Sequence, residues 1–363
     1  MSRKLRILLA GPLPPPYTGQ EMVNYWLLKT DLSKHHDLIF LDISTRRRNR
    51  LRGRLDLKNI LASLRPLPQF LKILLVNRPD ILHVQLARNR LGFLRYSIYI
   101  VAAAVFRVKV VARLGGDHFD LFWSNVGSLY RRYIRAVLQR VDLLIVEGER
   151  LKNQFLEISF PEEKLAVVYS AVDASSFDPG SAIPRSNGRL QVLYLGAINK
   201  AKGALDLLSA IPAVVKEIPE ICFIFAGEVL KREYNLIHLD NPPDLEAEIE
   251  KMVRNYGLQD YVQFLGEIEG DHKIRMLATS DIFIQPSYAE GCPFAPLEAA
   301  ASGLPLILSS VGAMPEVFKS EENAIFIEPG DIAAIGRGII KLANLPQMRK
   351  KMGESNRKMI SED

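Results

Sequence analysis

The sequence predicts an α/β fold made of two Rossmann-like, doubly wound parallel-sheet domains. The chain has 363 residues, which is too long for one typical core and about right for two α/β domains. Short apolar runs alternate with helical periodicity in both halves, and this alternation indicates parallel sheets. A segment rich in Ser, Pro, Gly and Asp, residues 173–188, separates the halves. We therefore expect an N-terminal domain at 1–175, a hinge at 176–188 and a C-terminal domain at 189–363.

The composition is that of an ordinary globular protein in a reducing compartment. Hydrophobic residues make up 48% and charged residues 24%, which argues against a disordered chain. Cys222 and Cys292 are far apart and form no metal-binding pattern. Residues 1–6 show no signal-peptide pattern and lead into a strand, so a cytoplasmic location is expected. No run reaches the roughly 18 to 20 apolar residues of a membrane-spanning helix, and residues 98–106 are predicted to form a core helix.

Five strand-like runs in the first half each precede a helical pattern. They are Arg6–Ala10, Leu38–Leu41, Ile81–Gln85, Val108–Ala112 and Leu143–Val146. The loop after the first run, residues 11–20, is stiffened by prolines and reaches Gly19 just before a helix that is predicted to start near Glu21. This repeated order of strand, loop and helix is typical of a parallel sheet.

Charge is distributed unevenly between the halves. Residues 1–185 carry 29 Lys and Arg against 16 Asp and Glu, or +13, and the remainder carries 18 against 25, or −7. The first half therefore suits an anionic partner better than the second half does.

An arginine run is the densest positive segment of the first half. Its members are Arg46, Arg47, Arg48, Arg50, Arg52 and Arg54, six arginines in nine positions. Such a run can attract anionic lipid headgroups, at about 1 kcal/mol per cation, or the phosphate groups of an acceptor. Nucleic acid is disfavoured, because neither a recognised nucleic-acid motif nor stacking aromatic residues accompany the run. A flexible, solvated loop is the remaining alternative.

A polar segment, residues 113–120, follows the fourth strand-like run. Asp117 and His118 lie at the carboxyl end of that strand, where they can form an acid/base pair. The alternative is a loop-capping Asp beside a half-exposed His.

The stretch that the second half is organised around is residues 281–316. Residues 282–284 predict a buried strand, residues 287–293 predict a loop, and a helix is predicted from Phe294 to the stop at Gly303. Open α/β sheets bind ligands at the carboxyl ends of their strands, where this loop lies.

Two carboxylates stand eight positions apart in this stretch. The unpaired N–H groups near Phe294 and Ala295 can hold a diphosphate, because a helix N-terminus attracts anions. Glu298, one turn further into the helix, can accept hydrogen bonds from a ribose, and Glu290 in the loop is free to face a sugar. The alternative is an ordinary βαβ unit, with Glu298 solvated and Glu290 capping the turn.

The complete block resembles a known signature. The E-x7-E spacing, within PS-x-x-EG-x-P and followed by EA-x-A-x-G-x-P and G-x-x-PE, resembles the family 4 retaining glycosyltransferases. The resemblance implies a GT-B fold, with the two domains facing across a cleft. It implies donor-binding roles for the loop residues Gly291, Cys292 and Pro293, and for Phe294, Ala295 and Glu298.

Other parts of the chain match the same family. Residues 196–203 resemble its G-R-x-x-x-x-K-G motif, which implies that Lys202 meets the donor diphosphate as a point charge. Gly266 is implied to border the nucleotide base, and Gly19 to let the backbone approach the donor phosphates. Glu290 is implied to contact the sugar. With Lys202, and with the acid/base candidates Asp117 and His118, it completes the predicted catalytic set.

Three positions depart from the family pattern. Thr18 replaces the first glycine of a pair, Leu114 stands where an acceptor-side histidine is usual, and Ala197 stands where an arginine is usual. Either Lys200 compensates for the missing arginine, or the donor binds more weakly, or none binds. The family's last helix crosses back onto the first domain, and here it is expected to be short or missing.

The resemblance implies a retaining glycosyltransferase that moves a sugar from a nucleotide-diphosphate sugar to a carbohydrate or lipid-linked glycan acceptor, in surface polysaccharide or glycolipid biosynthesis. No D-x-D triplet occurs, so we expect neither a metal requirement nor a cofactor. Peripheral association with an anionic membrane surface is expected, and nucleic acid binding is not. The alternatives are an epimerase or phosphorylase on the same fold, or a non-catalytic membrane-associated scaffold.

Overall fold

The computed structural model describes residues 3–14, 19–44, 64–177, 188–230 and 239–362. The chain divides into two compact units, residues 1–169 and 170–363. The arginine run at 46–54 lies outside the described residues, as do residues 178–187 of the expected hinge.

The first unit is built on a six-stranded sheet in which every neighbouring pair is parallel. The strands are β1 (Arg6–Gly11), β2 (Asp37–Asp42), β3 (Ile81–Gln85), β4 (Lys109–Leu114), β5 (Leu143–Val146) and β6 (Leu165–Val167). Their order across the sheet is β2-β1-β3-β4-β5-β6. The helices are α1 (Gly19–Lys29), α2 (Leu32–His35), α3 (Leu67–Val76), α4 (Arg90–Val105), α5 (Phe119–Ser124), α6 (Ser128–Leu138) and α7 (Glu149–Glu157). The five predicted strands are confirmed as β1 to β5.

The second unit repeats this architecture. Its strands are β7 (Leu190–Leu195), β8 (Ile221–Ala226), β9 (Val262–Gly266), β10 (Ile282–Gln285), β11 (Leu306–Ser309) and β12 (Ala324–Ile327). Their order is β12-β11-β10-β7-β8-β9, again with parallel neighbours. The helices are α8 (Ala204–Glu217), α9 (Leu245–Asn255), α10 (Gly270–Thr279), α11 (Phe294–Ala301), α12 (Met314–Val317), α13 (Ile332–Asn344) and α14 (Pro346–Glu362). The prediction of two Rossmann-like parallel-sheet domains is confirmed.

The central strands are apolar on both sides because helices cover both faces of each sheet. In the second unit, Val192 and Tyr194 of β7 belong to one hydrophobic cluster, whereas Leu193 between them belongs to another. Side chains alternate between the faces of a strand, so these clusters are the two cores that sandwich the sheet.

Strand order places one ligand-binding position in each sheet. In the second sheet, β7 and β10 are neighbours, and the chain proceeds from β7 towards β8 and β9 but from β10 towards β11 and β12. Such a reversal of direction opens a crevice at the carboxyl ends of the two strands. In the first sheet the corresponding neighbours are β1 and β3.

The core helix predicted at residues 98–106 is the C-terminal part of α4, and it is buried on one face rather than all round. Ile100 and Ala103 are fully buried, but Val105 is 73% exposed. In the described ranges, no helix has both the length and the apolar character needed to cross a bilayer.

Candidate active site

Lys202 and Glu290 meet at the switch point of the second sheet. Lys202 lies in the loop after β7 and Glu290 in the loop after β10, the two neighbouring strands at which the winding reverses. The Nζ atom of Lys202 donates a hydrogen bond of 2.9 Å to Oε2 of Glu290. Residues that are 88 positions apart in sequence are therefore brought together where an open α/β sheet binds its ligand.

The other carboxylate oxygen of Glu290 accepts two hydrogen bonds. Gln285, the last residue of β10, donates to Oε1 through Nε2 at 2.5 Å, and the Ser287 hydroxyl donates to the same oxygen at 2.7 Å. Glu290 is 8% exposed, so these donors compensate much of the cost of removing a charged group from water. The carboxylate is consequently fixed in one orientation.

The loops that carry Lys202 and Glu290 are locked to each other. The backbone N–H of Tyr288 donates to the carbonyl of Ala201 at 2.9 Å. Gly203 has φ +70°, and a Cβ there would overlap the carbonyl oxygen of Pro286. Only glycine combines that dihedral angle with such a close approach.

A side-chain contact also joins the Glu290 loop to α8, the helix that follows the Lys202 loop. The Tyr288 hydroxyl is hydrogen-bonded to Asp206 in the first turn of α8. Burial raises the pKa of Tyr288 to about 12, and its bond to Asp206 acts in the same direction. Burial also raises the pKa of Asp206, while the Tyr288 bond and the charge of Lys200 oppose that shift. The tyrosine therefore stays protonated and donates.

The downstream G-x-x-PE motif closes the Glu290 loop. A Cβ at Gly312, whose φ is +56°, would overlap the carbonyl oxygens of Glu290 and Gly291. The N–H of Ala313 donates to the Gly291 carbonyl at 2.9 Å. The motif thus holds the backbone of the loop, and Cys292, which is 3% exposed, anchors it in the core.

The helix that follows this loop presents its N-terminus directly after Pro293. Proline has no side-chain acceptor, so the first N–H groups of α11, at Phe294 and Ala295, receive no side-chain cap from it. These donors and the helix dipole suit an anionic group.

Glu298 occupies the second turn of α11 and has its own cation. Lys273 of α10 donates through Nζ to Oε1 of Glu298 at 2.5 Å. The side chains of Glu298 and Lys273 are 9% and 23% exposed. Each glutamate of the E-x7-E motif is therefore paired with a lysine. Glu290 has its partner at the switch point, and Glu298 on α11 has its partner on α10.

The remaining donor-side candidates lie at strand or helix ends. Gly266 ends β9 with φ +70°, and its carbonyl accepts from the N–H of Gly227 at 2.7 Å. Gly19 is the first residue of α1, and a Cβ built there meets nothing within 4 Å. Ala197 accepts a 2.6 Å hydrogen bond from the Tyr194 hydroxyl through its carbonyl.

In the first unit, Asp117 is held by its own loop and by α7. It is 2% exposed, and its Oδ1 accepts from Gln154 Nε2 and from the N–H of His118, both at 2.7 Å. His118 adopts φ +67°, and its Nε2 lies 4.0 Å from Oδ2 of Asp117, beyond hydrogen-bond distance. The geometry gives Asp117 an anchoring role, and a catalytic role for either residue stays a prediction.

Leu114, at the position where the family has a histidine, is fully buried as the last residue of β4. The neighbouring polar contact is instead made by Arg113, which pairs with Glu147 at 2.7 Å. The membrane or acceptor role of the arginine run stays a prediction. Among the described residues, no group of three or more His, Cys, Asp and Glu side chains is arranged to hold a metal ion.

Sequence reasoning missed Gln285 and Ser287, which donate to Glu290, and Lys273, which pairs with Glu298. Gln285 carried a usable signal, because it is the polar end of the otherwise apolar strand Ile282–Gln285. Ser287, three residues before Glu290, carried a weaker one. Lys273 carried none, since one lysine on an amphipathic helix looks like any solvated lysine.

Two family models match the chain, one for each half. Residues 181–359 match the model described as glycosyl transferases group 1. Residues 36–176 match the model described as glycosyltransferase family 4. The chain belongs to the family 4 glycosyltransferases.

Curated relatives of this family 4 member are distant in sequence. N-acetyl-alpha-D-glucosaminyl L-malate synthase of Bacillus anthracis is 26% identical over 256 residues, covering 70% of this chain and 64% of that protein. The gpi3 component of the phosphatidylinositol N-acetylglucosaminyltransferase of Schizosaccharomyces pombe is 25% identical over 206 residues, covering 56% of this chain and 42% of that protein. The matched regions thus span less than two thirds of the length of these relatives.

Solved structures show the same fold for this family 4 member. A glycosyltransferase from Rickettsia africae superposes with a TM-score of 0.75 at 16% identity, covering 99% of this chain and 94% of that one. HepE from Anabaena, solved in complex with UDP, gives a TM-score of 0.70 at 16% identity, covering 99% and 95%. The chain therefore has the GT-B glycosyltransferase fold, with one Rossmann-like sheet in each unit.

Proposed function

We propose that this chain is a retaining glycosyltransferase that transfers a sugar from a nucleotide-diphosphate sugar to an acceptor without a metal ion. The observation that carries the proposal is the Lys202–Glu290 pair, 2.9 Å apart at the switch point of the second sheet. It combines a cation for the leaving diphosphate with a carboxylate for the sugar. The UDP complex of HepE, a protein of the same fold, supports a nucleotide donor.

In this proposal, separate residues of the second unit bind the diphosphate, the nucleoside and the sugar of the donor. The uncapped N–H groups at Phe294 and Ala295, together with Lys202, bind the diphosphate, because both carry positive potential towards the same switch point. Glu298 accepts the ribose hydroxyls, with Lys273 holding its carboxylate in place. Glu290 accepts hydrogen bonds from hydroxyls of the transferred sugar, and Gly266 borders the base.

In the reaction, the bond between the anomeric carbon and the diphosphate oxygen breaks, and its electron pair leaves with the diphosphate. The sugar passes through an oxocarbenium-like state, as in glycoside hydrolysis. The acceptor oxygen then bonds to the same face of the ring, and its proton passes to the departing phosphate oxygen. Lys202 stabilises the charge that develops on the diphosphate, and Glu290 faces the positive ring. His118, positioned by Asp117, is the acceptor-side candidate.

The acceptor is proposed to be a carbohydrate or a lipid-linked glycan at an anionic membrane surface. The excess of 29 Lys and Arg over 16 Asp and Glu in residues 1–185 supports this assignment. The similarity to a phosphatidylinositol N-acetylglucosaminyltransferase subunit, whose name includes a phospholipid, supports this assignment as well. The arginine run from Arg46 to Arg54 is the proposed contact, with attraction that high salt screens.

The deciding experiment is a donor screen with UDP-, GDP- and ADP-sugars, followed by NMR of the product. Turnover of one donor, retention of its anomeric configuration and full activity in EDTA would agree with the proposal. Inversion, or dependence on added Mg²⁺, would contradict the mechanism. Conversion of the donor without an acceptor would indicate an epimerase. Transfer of the sugar to inorganic phosphate would indicate a phosphorylase. Failure to bind any nucleotide diphosphate in calorimetry would indicate a non-catalytic scaffold.

A further inference from the structure

A groove between α4 and α6 in the first unit takes no part in the proposed reaction. Its volume is about 570 Å³, and it is lined by Arg90, Leu94, Gly127, Leu129, Tyr130 and Tyr133. We propose that this groove and the helix surface beside it, here called the α4/α6 surface, bind an anionic phospholipid of a membrane. Apolar side chains contact the acyl chain, and arginines contact the phosphate.

The α4/α6 surface exposes several aliphatic side chains. Leu129, in the first turn of α6, is 79% exposed, and Leu91 and Leu94 of α4 are 44% and 47% exposed. Single exposed leucines are ordinary on a protein surface, but Leu94 and Leu129 line the same groove from two helices, and Leu91 lies three residues before Leu94 on α4.

Two tyrosine rings line the groove, and their hydroxyl groups are hydrogen-bonded to other protein groups. The Tyr130 hydroxyl donates to the carbonyl of Arg90 at 2.6 Å, and the Tyr133 hydroxyl is hydrogen-bonded to that of Ser97. Because both hydroxyls are engaged with protein groups, the rings present mainly carbon to the groove. An acyl chain fits such a lining better than a sugar or a nucleotide does.

The charged side chains within α4 and α6 are all arginines. Residues 86–108 and 121–141, which contain α4 and α6, include no Asp or Glu. Their cations are Arg88, Arg90, Arg95, Arg107, Arg131, Arg132, Arg135 and Arg140. An apolar groove that Arg90 lines, between helices whose charges are all positive, is complementary to a molecule with an anionic head and a hydrocarbon tail.

Helix α6 itself has the form of an interfacial helix. Ile134, Val137 and Leu138 are buried beneath it, whereas Leu129 lies three residues before Arg132 on its outer side and is exposed. The Arg135 guanidinium lies 4.9 Å from the centre of the Trp123 ring. An exposed leucine and arginine on the outer side of a helix whose inner side is buried are typical of helices that lie in the headgroup region.

Two other occupants fit less well. A symmetric contact between two copies of this chain would bring the same patch of arginines against itself, which like-charge repulsion opposes. A nucleic acid would satisfy the arginines, but Leu129 and Leu91 would then project their apolar side chains towards phosphates. A lipid surface satisfies both the charge and the hydrocarbon.

The test is sedimentation of the full chain with vesicles of phosphatidylcholine, with and without phosphatidylglycerol, in the absence of any donor, so that it does not rest on the proposed transfer. We expect Leu129→Gln to lower partitioning about tenfold, a loss that persists at high salt because apolar burial is not screened. Arg132→Gln should lower it about fivefold at low salt only. Leu129→Phe should retain binding. Replacing the six arginines at 46–54 by glutamine should remove only the part of vesicle binding that high salt also removes.

Matched controls exist within the chain. Leu75→Gln changes a leucine that is 60% exposed on α3, and Arg337→Gln changes an exposed arginine of the second unit. Both should leave partitioning unchanged. Trp26→Phe leaves Trp123 as the single tryptophan, and brominated acyl chains should then quench its emission.

The proposal is overturned if Leu129→Gln partitions like wild type while thermal unfolding shows both to be folded, or if neutral vesicles bind equally well. A dimer that Leu129→Gln abolishes, with no vesicle binding, would assign the surface to a second copy. Binding of RNA that Arg132→Gln abolishes but Leu129→Gln does not, again without vesicle binding, would assign it to nucleic acid.

Discussion

The ammonium of Lys273 lies 2.5 Å from Oε1 of Glu298, although the two residues belong to different helices. The pair fixes a carboxylate in the second turn of α11, the helix whose N-terminus follows the Glu290 loop. A fixed carboxylate can accept two hydroxyls of a ribose at once, whereas a mobile one must first lose rotamer freedom.

The first prediction concerns this pair. Glu298→Ala should weaken binding of the donor nucleotide by about 1.5 to 3 kcal/mol, because the ribose hydroxyls lose a charged acceptor. Lys273→Met should give a smaller loss, since Glu298 remains but is no longer oriented. Calorimetry with the donor identified in the screen measures both. If affinity is unchanged in a folded Glu298→Ala variant, Glu298 does not bind the ribose.

The second prediction separates Glu290 from binding. Glu290→Gln keeps the size of the side chain but removes its charge, so kcat should fall by roughly a hundredfold or more while affinity for the bare nucleotide diphosphate stays constant. Glu321→Gln, at an exposed position of the same unit, is the control. An equal loss of nucleotide affinity would place Glu290 at the diphosphate rather than the sugar.

The third prediction is a pH effect at Asp206. Its pKa is raised above the ordinary value of 3.8, mainly by burial, so the unfolded state ionises first and stability falls as pH rises through the folded pKa. Asp206→Asn keeps an acceptor for Tyr288 but cannot ionise. The Tm of wild type relative to this variant should therefore decrease from about pH 4 towards neutrality. A difference that is constant with pH would mean that Asp206 ionises as easily in the folded protein as in the unfolded chain.

The fourth prediction concerns His83 in β3. Burial, assisted by the charge of Arg113, lowers the pKa of this histidine from 6.5 to about 4. The folded protein thus binds fewer protons than the unfolded chain between these values, and stability is lost as pH falls from 6.5 towards 4, by up to about 3 kcal/mol. Denaturant unfolding of His83→Gln should show a flatter dependence on pH. His272→Gln, at an exposed position, should retain the wild-type slope.

The sequence predicted the elements well because their signals are local. The run Ile282–Phe283–Ile284 is apolar and β-branched or aromatic, so β10 could be placed, and the switch-point rule then brought its loop to a ligand. Lys202 was assigned to the same site only through the resemblance of residues 196–203 to the family motif. The partnership of Tyr288 with Asp206 was not predictable, because it joins a loop to a helix that is 82 positions away and leaves no periodic trace. Lys273 was missed for the same reason.

The burial and contacts of Asp117 and His118 could not be predicted from sequence patterns. The segment after β4 offered an Asp and a His side by side, yet Asp117 is enclosed by Gln154 and its own loop, and His118 is turned by a positive φ. Residue types alone do not distinguish an anchoring carboxylate from a reacting one. The contact with Gln154, 37 positions away, makes that distinction.

Lys202 and Lys273 are already paired with glutamates, and this has a consequence for preorganisation. Ordering a lysine side chain costs about 2 kcal/mol of rotamer entropy, and here that loss is incurred when the chain folds rather than when the donor binds. The two ion pairs are consequently ordered in advance, and a diphosphate that binds as proposed would not have to reorganise the cations. Altering donor selectivity in such a site would require changing a glutamate and its lysine together, because replacing one member would leave the other ordered for a partner that is gone.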